Sequence, residues 1–140
     1  GRKKSYCLGH RQPQYKVKPI TDLPIAVCPD STAAGQIFVG DKKCGTAQEA
    51  ILFFRTDSPV RPKIWFNSTE ITRFGDDYPE TYDRARGLNE SERQFAVIVP
   101  ANFIKHGLNT IEFRSEPGSC RIIRLELSLR YGSVDECGYF

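Results

Sequence analysis

With 140 residues, 39% of them hydrophobic, and 20 basic against 17 acidic side chains, the chain has the length of one domain and can bury a core without the help of disulfides. Six of the basic residues, Arg2, Lys3, Lys4, Arg11, Lys16 and Lys18, fall within the first eighteen positions; the other 14 face 17 acids, so the body is slightly acidic and a nucleic-acid-binding face is not expected. No run approaches the roughly 18 consecutive apolar residues of a membrane span, and with no signal peptide or initiator Met the chain is expected to be mature or excised from something longer.

Residues 1–24 are basic, polar and broken by Pro13, Pro19 and Pro24, which reads as an extended lead or linker, with the folded domain expected over residues 25–140. Short apolar runs follow at Ile25 to Cys28, Gln36 to Val39, Glu49 to Arg55, Pro62 to Asn67, Arg93 to Val99, Asn109 to Arg114 and Ile122 to Tyr131. They are separated by turn residues and none sustains a helical period, the pattern of an all-β antiparallel sandwich or barrel. In the last run Ile123, Leu125, Leu127, Leu129 and Tyr131 alternate with Arg124, Glu126, Ser128 and Arg130, which predicts one buried and one wet face. Phe95, Val97 and Val99 alternate with Gln94, Ala96 and Ile98 in the same way, as do Ile111 and Phe113 with Thr110 and Glu112. Pro100 ends a strand because it cannot donate to a ladder, Ala101 to Lys105 reads as one helical or 3₁₀ turn, and His106 to Asn109 turns the chain. The polar stretch from Arg73 to Glu92 has aromatics without an apolar period, and a loop of that length is commonly functional or disordered.

Five cysteines, Cys7, Cys28, Cys44, Cys120 and Cys137, include no C-x-x-C pair, so zinc-ligand spacing is absent; two disulfides with one spare thiol, or inert thiols, are expected, with the pairing open. Cys28 and Cys120 flank apolar strands and read as core residues or a disulfide. Together with the sequons Asn67-Ser68-Thr69 and Asn89-Glu90-Ser91 they point to a secreted or cell-surface protein.

The element order then becomes informative. Ala50 to Arg55 is followed by Pro62-Lys63-Ile64-Trp65-Phe66-Asn67, a long loop, Val99-Pro100-Ala101-Asn102-Phe103-Ile104-Lys105-His106-Gly107-Leu108-Asn109-Thr110-Ile111 and Leu125 to Tyr131. Over roughly residues 36–131 this resembles the galactose-binding-like jelly rolls attached to bacterial polysaccharide lyases and glycoside hydrolases, with their "V-x-V-N-G" and "L-x-x-G-x-N-x-I" motifs. Ser68 stands where the family often has Gly after the Asn. The resemblance implies a non-catalytic, lectin-like carbohydrate-binding module fused to a catalytic domain in a longer chain, with a polysaccharide as partner. It also implies a structural calcium ion, for which Asp41, Asp76, Asp77 or Asp83 offer hard oxygen ligands, although no D-x-D-x-D-G run is present.

A sugar offers hydroxyls and C–H faces, so its site needs aromatic rings beside planar donors and acceptors. The loop supplies that mixture in Asp76, Asp77, Tyr78, Tyr82, Asp83, Arg84 and Arg86: a tyrosine to stack on a pyranose, arginines and aspartates to bond its hydroxyls or a uronic carboxylate. The bland alternative is that the charges pair in solvent while the tyrosines pack the loop onto the sheet. Trp65 points away from Ile64 and Phe66; with those two in the core, its indole lies on an outer sheet face, there to stack a sugar or to be covered by the lead. No catalytic residue is assigned: His10 and His106 sit in no nucleophile motif, no phosphate-binding glycine loop is present, and a carboxylate-based hydrolase or lyase using Glu80, Asp83, Glu90 or Glu92 is the minor enzymatic reading. A protein-binding or structural sandwich of an extracellular protein is the non-glycan alternative.

Overall fold

The computed structural model describes residues 14–115 and 118–132, and within them the chain is an antiparallel β-sandwich of two layers. Its strands are β1 (Gln14–Val17), β2 (Ile25–Val27), β3 (Ala33–Val39), β4 (Glu49–Thr56), β5 (Lys63–Phe66), β6 (Thr69–Ile71), β7 (Arg93–Val99), β8 (Gly107–Arg114) and β9 (Cys120–Arg130), with one short helix, α1 (Pro79–Arg84). One layer runs β1-β9-β4-β7, with β2 also pairing to β9; the other runs β3-β8-β5-β6. The expected 3₁₀ turn lies at Ala101–Phe103.

Alternation in the strands builds the space between the layers. Ala50, Leu52 and Phe54 of β4, Phe95, Val97 and Val99 of β7, and Leu125, Leu127 and Leu129 of β9 meet Ile37 and Val39 of β3, Ile64 and Phe66 of β5, and Ile111 and Phe113 of β8. Each large side chain removed wholly from water contributes on the order of 1.5–3 kcal/mol, so this interior dominates the stability of the sandwich.

Three expectations are corrected. Ile123 was assigned to the buried face of the last strand, yet Ile122 is the residue at 0% exposure. Arg55 pairs with Arg124 while Thr56 pairs with Ile122, so Ile123 is the extra residue of a β-bulge, and the bulge reverses the alternation on its N-terminal side. Part of the extended lead is a strand, because β1 pairs with residues 127–130 of β9. The thiols Cys28, Cys44 and Cys120 are free, with Cys28 exposed rather than in the core, so none of the three forms an expected disulfide; burial beside Asp57 pushes the Cys120 thiol up to about 11. Cys7, His10 and Cys137 lie outside the described residues.

The motif residues Asn67, Gly107 and Asn109 knit one end of the sandwich. Asn109 is fully buried; its Oδ1 accepts from the Lys105 N–H at 2.8 Å and the Asn67 Nδ2 at 2.9 Å, and its Nδ2 donates to the carbonyls of Lys105 and Gly107 at 2.9 and 3.1 Å. Asn67 also donates from Nδ2 to the Phe103 carbonyl at 2.7 Å, so its amide belongs to this network, whereas the other sequon asparagine, Asn89, is exposed. Asn67 and Ser68 carry φ of 47° and 75°, the left-handed pair of a two-residue hairpin turn between β5 and β6. Serine pays a steric cost there that glycine does not. Ser68→Gly is therefore expected to stabilise the fold by about 0.5–1 kcal/mol and raise the melting temperature by a few degrees in calorimetry; an unchanged or lower value would contradict this reading of the turn.

Candidate functional site

Strands β4 and β7 are apolar on both faces, and this decides what lies outside the five-stranded layer. Ile51, Phe53, Ala96 and Ile98 form a second buried cluster there, opposite the main core. Bare, that surface would be an exposed hydrophobic patch. The stretch expected to be an open loop covers it. The Ile98 N–H donates to the Arg73 carbonyl and the Gly75 N–H to the Ala96 carbonyl, both at 2.8 Å, so the stretch begins as an extra bridge on the β7 edge. Asp76 Oδ1 accepts from the Ala96 N–H at 3.1 Å and its carboxylate pairs with Arg61. A Cβ on Gly75 would stand 3.0 Å from Ile98 Cδ1, so the segment packs closely on the outer cluster. Tyr78 packs on the cluster, and Pro79 opens α1 at a position where its missing N–H costs nothing.

Ion pairs hold α1 against the sheet. Arg130 of β9, expected on a wet face, is 7% exposed: its guanidinium meets Glu49 at 3.0 Å and Glu80 of α1 at 2.9 Å. Ser128 is buried on the same face for the same reason, because the covering segment lies over it. The Tyr78 hydroxyl donates to Glu49 at 3.2 Å, and burial together with the Glu49 charge raises its pKa. Arg84 pairs with Glu126 at 2.6 Å while its guanidinium carbon sits 3.7 Å from the centre of the Phe53 ring, a cation–π contact that completes the cover.

Beside the helix this arrangement leaves a cleft of about 520 Å³. Its floor is the outer face of the layer, with Arg55, Gln94, Arg124 and Glu126; Asp83, Arg84 and Arg86 form one wall, and Lys18, Pro19 and Leu23 line it from the N-terminal segment. Arg55 is pinned, donating from Nη2 to the Arg84 carbonyl and from Nε to Gln94 Oε1 at 3.3 Å. Burial and the neighbouring Arg124 lower its pKa, with Glu92 opposing. Planar donors and a carboxylate thus converge on a concave surface beside a helix that carries an exposed tyrosine, Tyr82.

The structure sorts the candidate residues into three groups. Arg84 lines the cleft as a structural member, Arg86 lines it with Asp83 as a loose 3.5 Å partner, and Tyr82, 64% exposed on the same helix, is not one of the lining residues. Asp76 and Tyr78 hold the covering segment to the sheet, and Asp77 is exposed between them. Trp65 belongs to the other layer. Ile64 and Phe66 are fully buried, so the indole lies on the outer face as expected, beneath Arg114 at 5.4 Å and between its cross-strand neighbours Glu70 and Glu112. It cannot share a ligand with the cleft across the thickness of the sandwich. Of the acidic residues considered for calcium, Asp41 bonds the Tyr131 hydroxyl and the Lys43 N–H, and Asp76 is committed as above. Among the described residues no group of three or more His, Cys, Asp or Glu side chains comes together. Arg55, Gln94, Arg124 and Lys18 were missed as site residues. Arg124 and Glu126 were already legible as outward-facing, but their meeting with Arg55 and α1 depends on register.

No family model matches the sequence and no curated protein is similar to it. Solved structures do share the fold. A β-porphyranase of glycoside hydrolase family 86 from the human gut bacterium Bacteroides plebeius superposes with a TM-score of 0.62 at 12% identity, over 84% of this chain and 20% of that enzyme. The enzyme BuGH86, solved in complex with neoagarooctaose, gives 0.59 at 15% identity over 82% of this chain and 18% of its own. The chain thus spans about a fifth of the length of these glycoside hydrolases and corresponds to a β-domain within them.

The Arg130 pairs give the site its test of construction. Arg130→Ala strands Glu49 and Glu80 beneath the helix and, allowing for their partial exposure, is expected to cost roughly 2–3 kcal/mol in denaturant unfolding. A loss below about 0.5 kcal/mol, the range of ordinary surface substitutions, would show that the pairs do not anchor α1.

Proposed function

We propose that this chain is a non-catalytic, carbohydrate-binding accessory module of a secreted or cell-surface glycan-acting protein, of the galactose-binding-like kind its sequence resembles. The observation that carries the proposal is the cleft on the outer face of the five-stranded layer, where guanidinium, amide and carboxylate groups converge, with exposed Tyr82 on the helix that supplies one wall. That is the chemistry a pyranose needs, a planar set of hydrogen-bonding partners and a ring to stack on. The structural likeness to a fifth-length portion of agar- and porphyran-related hydrolases supports it from a second direction.

Two carboxylates at the covering helix, Glu80 and Glu126, are engaged in ion pairs with Arg130 and Arg84, which supports a binding rather than a catalytic use of this face. The alternative, a protein-binding sandwich, draws on Phe38 and Leu108, cross-strand partners each 51% exposed on the outer face of the four-stranded layer.

Electrophoresis through gels containing dissolved polysaccharides separates the readings. The chain is expected to be retarded by at least one polysaccharide without releasing reducing ends, and Tyr82→Ala is expected to weaken retention about tenfold while leaving the melting temperature within a degree or so, since losing one stacked ring costs roughly 1.4 kcal/mol. Unretarded migration in every gel would refute the glycan reading.

A further inference from the structure

In the β4–β9 ladder, Arg55 and Arg124 are directly opposed partners on the outer face. Directly opposed side chains have Cβ atoms about 4.5–5.5 Å apart, and like charges in that relation destabilise a sheet. Here no acid relieves them. Among the described residues neither guanidinium has a carboxylate within ion-pair distance, and the one carboxylate beside them on β9, Glu126, is taken by Arg84 at 2.6 Å. Glu92 reaches Arg55 only as a distant charge. The imbalance extends to the cleft as a whole, where Lys18, Arg55, Arg84, Arg86 and Arg124 face Asp83 and Glu126, five cations to two anions in a chain whose body is slightly acidic.

The cation pair is also built in. Arg55 is half-buried and held at two points, by the Arg84 carbonyl through Nη2 and by Gln94 through Nε. Gln94 is itself tied down, donating from Nε2 to the Phe54 and Phe95 carbonyls at 3.1 and 3.2 Å. Arg55 Nη1 has no partner among the described residues. Its protons therefore stay available on a held guanidinium, with exposed Arg124 directly opposite in the ladder. A preorganised guanidinium beside an exposed one suits a planar or tetrahedral oxyanion, since binding costs little ordering on one side and removes a repulsion already present.

We infer that the cleft selects acidic saccharides, with the carboxylate of a uronic acid or the sulfate ester of a sulfated sugar bridging Arg55 and Arg124. This rests on the glycan-binding reading and narrows it. Neutral polysaccharides are then secondary ligands, and affinity falls as salt rises because the bridging contact is ionic and open to solvent.

The experiment measures retention of the whole chain in gels containing neutral agarose, polygalacturonate or κ-carrageenan. Arg124→Gln and Arg55→Gln are compared with a charge-matched control, Lys42→Gln with Lys43→Gln, in the β3–β4 loop outside the cleft. Affinity for at least one acidic polymer is expected to exceed that for agarose tenfold or more, the preferred polymer distinguishing carboxylate from sulfate. Arg124→Gln should abolish most of that preference, and the lysine control should change it less than twofold. Arg124 makes no hydrogen bond that holds the fold, so its variant should also melt slightly higher than the parent without ligand, a readout that is independent of any sugar. Equal retention by agarose and the acidic polymers, or equal loss in the lysine control, would overturn the anion inference while leaving glycan binding standing. No retention by any polymer would remove both.

Discussion

The two-sided hydrophobicity of β4 and β7 is the constraint from which the rest follows. A strand in a two-layer sandwich needs one apolar face, yet Ile51 and Phe53 back onto Leu52 and Phe54, and Ala96 and Ile98 back onto Val97 and Val99. The outer face of the five-stranded layer therefore carries a second core that something must close. A polar stretch of chain closes it by adding a bridge to the β7 edge and then folding a single turn and a half of helix over the top.

That closure determines where charge can sit. Covering an apolar patch with a polar segment brings charge to its edge, and Arg130 with Glu49 and Glu80, and Arg84 with Glu126, pair there, although Arg84 Nε, Ser128 Oγ and Arg130 Nε are buried without a hydrogen-bond partner. Past the end of the helix the cover stops and the floor of the sheet continues. The cleft is this uncovered remainder, and its cationic character reflects acids spent under the helix while Arg55 and Arg124 remain unneutralised. The proposed glycan reading therefore rests on how the molecule covers its own surface.

Much of this was legible in the residues. Period-two alternation identified the sandwich, the inward faces of β7 and β8, and the outward direction of Trp65. The turn read at His106 to Asn109 is shorter than expected, because strand β8 already begins at Gly107, and Asn109 within that strand is a buried hub satisfied on both amide atoms. What escaped has identifiable physical causes. The bulge at Ile123 is a property of two paired strands and leaves no mark in either alone, so the phase of the last strand was read one residue out near its start. Helix α1 has six residues, too few to display a helical period, and β1 has a polar sequence whose strand state comes from the unpaired edge that β9 offers it. Arg55 and Arg124 lie 69 positions apart and become neighbours only through that register, so the feature that most distinguishes the cleft is invisible without the fold.

Native-state hydrogen exchange at the amides of Gly75 and Ile98 tests the central claim most directly. Both are bonded across the junction of the covering segment and β7, Gly75 to the Ala96 carbonyl and Ile98 to the Arg73 carbonyl. If closing the outer core is what organises the molecule, both exchange by the same global opening as the amides of β4, with protection close to the full unfolding free energy. Exchange at these two amides by a much cheaper local opening, as in a free surface loop, would contradict the account.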